Sequence, residues 1–336
     1  MKTHNIIIVG IIICSILLGS EIVQGQNTTD KVLNAKSPLV IYTYDKSDQM
    51  NHPDVIYEPD GWNGFKYWMV FTPYPYGNSK HENPSIRVSN DGIHWEKPAE
   101  QIPDPIVPPP LDNHYGGFNS DPDMVLVGKT MYLFYRSTTE DRTTTVYFKT
   151  SLNGIEWSEP HVTNLPTTTT SPALYYDGNM FHCWFIEYTG PHKEPYVIKY
   201  CVSDDGRIWS NPGTITLATP GYTPWHLNVT KTNEGFEMLL TAYRLTSDNG
   251  HTVLFHAWSV NGLHWRLSSL EPFLKPVKDS WDSKEIYRSA MIKDDSGYKI
   301  WYSASDINDR WGIGYITVET IPQEKEPANE TKPEEN

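Results

Sequence analysis

Cysteine is nearly absent from this chain: there are three in 336 residues, and Cys14 lies in a leading apolar run. A fold stapled by many disulfides is therefore excluded, and only Cys183 and Cys201 remain to form a bridge. They bracket a turn centred on His192, in Thr189-Gly190-Pro191-His192-Lys193-Glu194-Pro195, so symmetric strand pairing sets them opposite each other. A cross-strand disulfide is one reading, and two buried free thiols are the other. Positive charge is also short. Lys and Arg number 27 against 41 Asp and Glu, and the net charge of −14 opposes binding to nucleic acid or anionic membrane and favours a neutral or cationic partner. The apolar run, Ile6 to Gly19, is too short for a comfortable membrane span. Behind Lys2 and ahead of small residues near Gly25 it reads as a secretory signal over residues 1–25, with an uncleaved anchor as the alternative. The expectation is a secreted protein that meets no membrane after cleavage.

What the chain does have is a phrase written four times, Ser-x-(Asp/Asn)-Gly-x-x-Trp: SNDGIHW from Ser89, SLNGIEW from Ser151, SDDGRIW from Ser203 and SVNGLHW from Ser259. Starts 62, 52 and 56 residues apart indicate an array of similar units. Asp-Gly or Asn-Gly supplies the positive φ of a tight turn, and the Trp that follows is a large apolar wedge. Asn153 and Asn261 fill the slot of Asp91 and Asp205 without a carboxylate, which points to a turn and not to catalysis.

Between the phrases lie five aromatic and β-branched segments, 66–71, 131–136, 180–185, 236–241 and 298–302, too short and unbroken for amphipathic helices. A first strand precedes each, at 52–57, 121–126, 171–175, 225–229 and 287–291, and a third strand such as 145–149 or 252–256 leads into the phrase. The fifth unit stops after 312–316, and the orphan strand 39–44 can complete it. Radially repeated four-stranded units closed by an N-terminal strand make an all-β, five-bladed β-propeller over residues 39–318. A six-bladed ring is the runner-up, but no sixth second strand is found. Residues 26–38 read as a flexible linker, and the acidic, Pro-rich end at 319–336 as a disordered tail.

In a propeller the first strands line the axis and their starts gather at one mouth. The starts here carry His52, Asp54, Asp121, Asp123, Trp225, His226 and Arg288, while the ends of second strands add Tyr74, Arg136 and Glu187. Charged hydrogen-bonding groups beside aromatic faces suit a sugar. No metal ligand set is assigned and no cofactor is required, though the channel leaves room for a structural calcium or other cation.

Five blades, x-Pro-Asp at the first two inner strands, a His opening the fourth and an Arg opening the fifth resemble the five-bladed propeller glycosidases, which include arabinofuranosidases, β-xylosidases and invertase-like enzymes. The strings GWNGFKYWM from Gly61, TPYP from Thr72, ENPS from Glu82 and SDPD from Ser120 are more closely similar to uncharacterised propeller proteins related to those enzymes. The resemblance implies an Asp in blade one as base or nucleophile, an Asp in blade two that orients and tunes pKa, and a Glu opening blade three as general acid. Asp54 and Asp121 are the matching candidates for the first two. The third is missing, because blade three opens Thr169-Thr170-Ser171-Pro172, so the acid must come from Glu187, Glu82 or Glu285, with Glu187 preferred. His52, Tyr74, Glu82, Asp123, Arg136, Trp225, His226 and Arg288 are the expected sugar contacts. The resulting expectation is a glycoside hydrolase acting on a neutral sugar or glycan, with a catalytically silent glycan-binding propeller as the alternative.

Overall fold

A computed structural model describes residues 33–110, 116–190, 196–245 and 251–322. The expected signal at 1–25, the turn expected around His192 and residues 323–336 of the expected tail lie outside the described residues, whereas Ile321, within the expected tail, is buried against blades four and five. Among the described residues there is no α-helix, and the strands form five antiparallel sheets, the blades of the expected propeller. Blade one holds β1 (Met50–Trp62), β2 (Phe65–Pro73) and β3 (Ser85–Ser89). Blade two holds β4 (Phe118–Val127), β5 (Thr130–Thr138), β6 (Thr144–Ser151) and β7 (His161–Val162). Blade three holds β8 (Thr169–Tyr176), β9 (Phe181–Glu187), β10 (Val197–Ser203) and β11 (Gly213–Thr214), and blade four β12 (Tyr222–Thr232), β13 (Gly235–Arg244), β14 (Thr252–Ser259) and β15 (Arg266–Leu267). Blade five is β16 (Glu285–Asp294), β17 (Gly297–Ser305) and β18 (Trp311–Val318). The innermost strands β1, β4, β8, β12 and β16 each pack on two neighbours and so close a ring around the axis.

The second strand of each blade is buried on both faces, which is why it reads as an unbroken apolar run. Its side chains fill five hydrophobic clusters, one at each junction between neighbouring blades. The repeated phrase locks these junctions. In each copy the Ser hydroxyl accepts the Gly N–H at 2.8–2.9 Å, and the Asp or Asn oxygen accepts two backbone N–H groups further on. The Trp indole then donates to the carbonyl of the same Gly, at 2.8–3.2 Å. The Gly has a second duty that the turn alone does not explain. A Cβ on Gly154 would lie 2.2 Å from Trp68 of blade one, and one on Gly262 2.8 Å from Trp184 of blade three. An aromatic ring of the neighbouring blade thus sits against the bare backbone of the turn. Trp95, Trp209 and Trp265 are buried as expected, whereas Trp157 stays half-exposed.

Two details differ from the sequence expectation. Blades one and five have three strands rather than four; in blade one the fourth is reduced to a single bridge between Val88 and Glu96. Segment 39–44 does lie beside β18, where Leu39 N–H donates to Ile313 O at 2.8 Å and Ile41 packs in the junction between blades five and one. It forms no ladder, because its polar groups are drawn elsewhere: Tyr42 O accepts from Arg87 of blade one at 2.6 Å, and Thr43 bonds Asp45 and Asp48. The segment closes the ring by bridging two blades and not by adding a strand to one. The chain engages the ring earlier still, since Asn34 donates to Asp282 and Ala35 to the Tyr302 hydroxyl. Cys183 and Cys201 are direct partners in the β9–β10 register, as the hairpin predicted, but both thiols are free. Burial pushes the Cys183 thiol well above its usual range.

Candidate active site

Every innermost strand slips register at the same level: at Asn51/Asp54, Ser120/Asp123, Thr170/Ala173, Pro224/His226 and Ile286/Ser289. In the first three blades the irregularity is built alike, a residue in left-handed backbone (His52 φ 54°, Asp121 φ 51°, Ser171 φ 51°) followed by Pro. Pro has no N–H to offer the ladder and is tolerated where pairing is already broken. The left-handed residue costs on the order of 1–3 kcal/mol, which persists only when packing over-determines it. In blades one and two the result is that His52 and Asp121 are aimed into a common pocket.

That pocket has a volume of about 650 Å³. It is lined by His52, Glu82, Asp121, Arg136 and His226 together with Tyr74, Tyr188, Trp225 and Tyr287, and the Tyr287 ring packs 4.3 Å from His226 and 5.6 Å from His52. His52 Nδ1 lies 3.2 Å from Glu82 Oε1 and 3.1 Å from the Thr72 hydroxyl, and its Nε2 lies 3.4 Å from Asp121 Oδ1. His226 Nδ1 is also 3.4 Å from that oxygen. Asp121 Oδ2 accepts from Arg136 Nη1 at 3.0 Å. Burial alone would raise the Asp121 pKa, but Arg136, His52 and His226 hold it well below the usual carboxylate range. Burial raises Glu82, with His52 only partly offsetting it, and drives His226 well below its ordinary value, so that imidazole is neutral. Among the aromatic lining residues, Trp225 Nε1 donates to the Tyr287 hydroxyl at 2.7 Å, and the Trp225 ring contacts Tyr188 and Tyr243.

His52, Asp121 and His226 place three ligand atoms within 4.8 Å of one another. His52 Nε2, Asp121 Oδ1 and both ring nitrogens of His226 are buried without a hydrogen-bond partner. Neutral imidazole and ionised carboxylate are the protonation states that cation binding requires, and such an N,N,O set suits a divalent transition ion. These residues therefore fit a cation. The sequence offered no ligand spacing for them, because the three come from β1, β4 and β12.

Several expected site residues sit elsewhere. Asp54 is not on the pocket wall. Its Oδ2 accepts Met124 N–H at 2.8 Å and its Oδ1 accepts Asn228 Nδ2 at 3.2 Å, beside a separate cavity of about 250 Å³ further along the inner strands. Asp123 in the same way accepts Leu174 N–H at 2.9 Å. Both carboxylates tie their blade to the next, and Asp54 also reaches across to Asn228 of blade four. Arg288 is fully buried beneath the pocket, donating to Asp123 Oδ2 at 2.9 Å and to Pro172 O at 3.0 Å, with Nη1 4.0 Å from Asp121. It supports the site from below and does not face it. Glu187 points along its sheet to Lys199 at 3.4 Å, and Glu285 lies near Ser305 and Lys284. Of the three substitute acids, only Glu82 reaches the pocket.

No family model matches this chain. It is 29% identical over 334 aligned residues to a Flavonifractor plautii protein described as A type blood N-acetyl-alpha-D-galactosamine deacetylase, an alignment spanning 81% of this chain and 43% of that protein. The chain thus spans less than half of that relative's length. Its structure is similar to a crystal structure of an N-acetylgalactosamine deacetylase from F. plautii in complex with blood group B trisaccharide (TM-score 0.74, 25% identity, 84% of this chain and 94% of that one). It shares the fold of an endo-arabinase from Bacteroides thetaiotaomicron (TM-score 0.59, 14% identity, 87% and 100% coverage). The chain is a five-bladed β-propeller resembling the glycosidase-type propellers, as the sequence implied, with similarity to both glycoside hydrolases and a glycan deacetylase.

Proposed function

We propose that this propeller is a glycan-directed hydrolase that removes the acetyl group from an N-acetylated amino sugar, with the axial pocket as its active site. One observation carries the reading: the pocket pairs a single protonable carboxyl, Glu82, with a trio of cation-ligand atoms that lack partners. Glycosidic cleavage needs two carboxyl groups across the scissile bond. Asp54 and Glu187 do not line the pocket, and Asp121 is committed to Arg136 and two imidazoles. The amino-sugar specificity is drawn from the F. plautii relative.

A divalent cation held by His52, Asp121 and His226 would supply an electrophile for the acyl oxygen and acidify water. The protein's own groups do the rest. Trp225 and Tyr287 offer a flat face for the apolar side of the sugar ring. Glu82, 3.2 Å from His52, can take a proton from the attacking water and return it to the departing amine as the C–N bond breaks. Arg136, through Asp121, keeps that carboxylate ionised and oriented. We place the activity outside the cytoplasm, on the strength of the apolar leader at residues 6–19.

The test is incubation with p-nitrophenyl N-acetylhexosaminides and N-acetylated oligosaccharides in the presence of divalent cations. Equimolar acetate and primary amine are expected, lost on chelation and regained on adding metal. Release of p-nitrophenol would return the site to glycoside hydrolysis, and binding without any release would make it a silent glycan-binding propeller. The pH profile offers a second check. Because burial raises Glu82, its basic form is populated only above the ordinary glutamate range of about 4.5. Activity should therefore rise with pH on a limb displaced upward from that value. Glu82→Gln should remove the limb together with about 10²–10⁴-fold of the rate.

A further inference from the structure

We infer that the blade-two wall of the pocket is a subsite for an acidic substituent on the glycan, a carboxylate or sulfate, with Arg142 at the rim as its principal contact. This rests on the glycan reading above and narrows it to a substrate class.

The wall is one hairpin, β5 to β6. Arg136 sits low on β5, the Thr138 and Thr144 hydroxyls lie above it 3.4 Å apart, and Arg142 stands in the turn, all four lining the pocket. The turn has a defined shape: Thr139 N–H donates to Thr143 O and Arg142 N–H to Thr139 O, both at 3.0 Å, with Arg142 in left-handed backbone at φ 66°. Two acids precede Arg142 in the turn, Glu140 and Asp141; Asp141 Oδ1 accepts the Thr139 hydroxyl at 2.6 Å and Thr143 N–H at 3.0 Å, and neither carboxylate pairs with Arg142. Among the described residues the Arg142 guanidinium has no ion pair, whereas the other charged groups on the pocket wall pair with one another. The second observation lies below it. Arg136 uses Nη1 on Asp121 and Thr170, yet its Nε is buried with no acceptor. Arg142 is thus left open at the rim with hydroxyls below it, and beneath them Arg136 keeps a guanidinium with one buried donor unpartnered. Guanidinium forks match the planar or trigonal oxygens of carboxylate and sulfate. The aromatic residues that line the pocket carry no charge to match such a group. With a net charge of −14 the protein as a whole repels anions, so any preference for one has to be generated at this wall.

The experiment compares three probes on the full-length protein by calorimetry: a neutral N-acetylhexosamine glycoside, its 6-O-sulfate, and the same sugar linked to glucuronic acid. At low ionic strength at least one acidic probe should bind about tenfold tighter than the neutral one, with the advantage shrinking as salt is added. The sulfate and uronate arms identify which anion is meant. Arg142→Gln should erase the advantage while leaving neutral binding and acetate release unchanged. Equal binding of all three probes by the wild type, or an advantage that survives Arg142→Gln, overturns the subsite while the deacetylase reading stands. Failure of all three probes to bind or release acetate overturns the deacetylase reading and the subsite with it.

Discussion

Asp121→Asn is expected to lower the rate of acetate release by about a thousandfold or more, in the range that loss of a positioned ionisable group produces. The amide keeps the shape of the side chain but cannot carry the charge around which the site is organised. Asp121 faces His52, His226 and Arg136 at 3.0–3.4 Å and has Arg288 4.0 Å below. Removing it leaves two guanidinium groups, one of them fully buried, short of a counter-charge, and breaking such a buried network costs about 3–5 kcal/mol. The variant should therefore lose denaturant stability as well as cation affinity. The wild type should show the complementary pH effect. A carboxylate whose folded pKa is depressed stabilises the protein above its unfolded pKa, and that contribution fades as pH falls through the folded value. If Asp121→Asn retains most of its activity and its metal content, the assignment of this pocket is wrong.

Trp209→Ala should destabilise the fold by about 3–5 kcal/mol without touching the pocket, a loss of packing plus an unfilled cavity. The indole is buried between blades two and three, with its centroid 6.2 Å from Phe134 and 6.4 Å from Phe181. Its Nε1 also closes the turn on Gly206 O at 2.9 Å. Chemical denaturation should show the loss, and ligand affinity measured below the lowered melting temperature should match wild type. Weakened binding with unchanged stability would contradict a purely structural role for the repeated Trp.

The contrast between these two residues shows which features of the chain can be read in one dimension. Trp209 belongs to a phrase whose turn is closed by local hydrogen bonds: Ser to Gly, Asp to the next N–H groups, Trp to its own Gly. A pattern that satisfies itself within seven residues is visible wherever it is repeated, and five aromatic second strands then count the blades. The pocket is assembled from strands distant in sequence, and local rules misplace its members. In a regular strand His52 and Asp54 would share a face, as would Asp121 and Asp123. The bulges at His52-Pro53 and Asp121-Pro122 break that alternation, so one residue of each pair enters the pocket and the other ties down a neighbouring blade.

Glu82 shows the same limit from the other side. It lies on no inner strand but just after a short 3₁₀ turn (Ser79–His81), and only the packing of that connection over the mouth brings it to His52. By itself, then, the sequence determined the all-β class, the number of blades, the repeated turns and the facing cysteines, and it named His52, Tyr74, Glu82, Asp121, Arg136, Trp225 and His226 among the residues that line the pocket, because periodicity and strand starts are local properties. The tertiary structure alone decided that Asp54, Asp123 and Arg288 are buried ties, that Glu82 and not Glu187 lines the pocket, and that two imidazoles and a carboxylate come together within 4.8 Å. Those outcomes depend on distances between residues up to 174 positions apart, set by ring closure and by register slips that no spacing in the chain records.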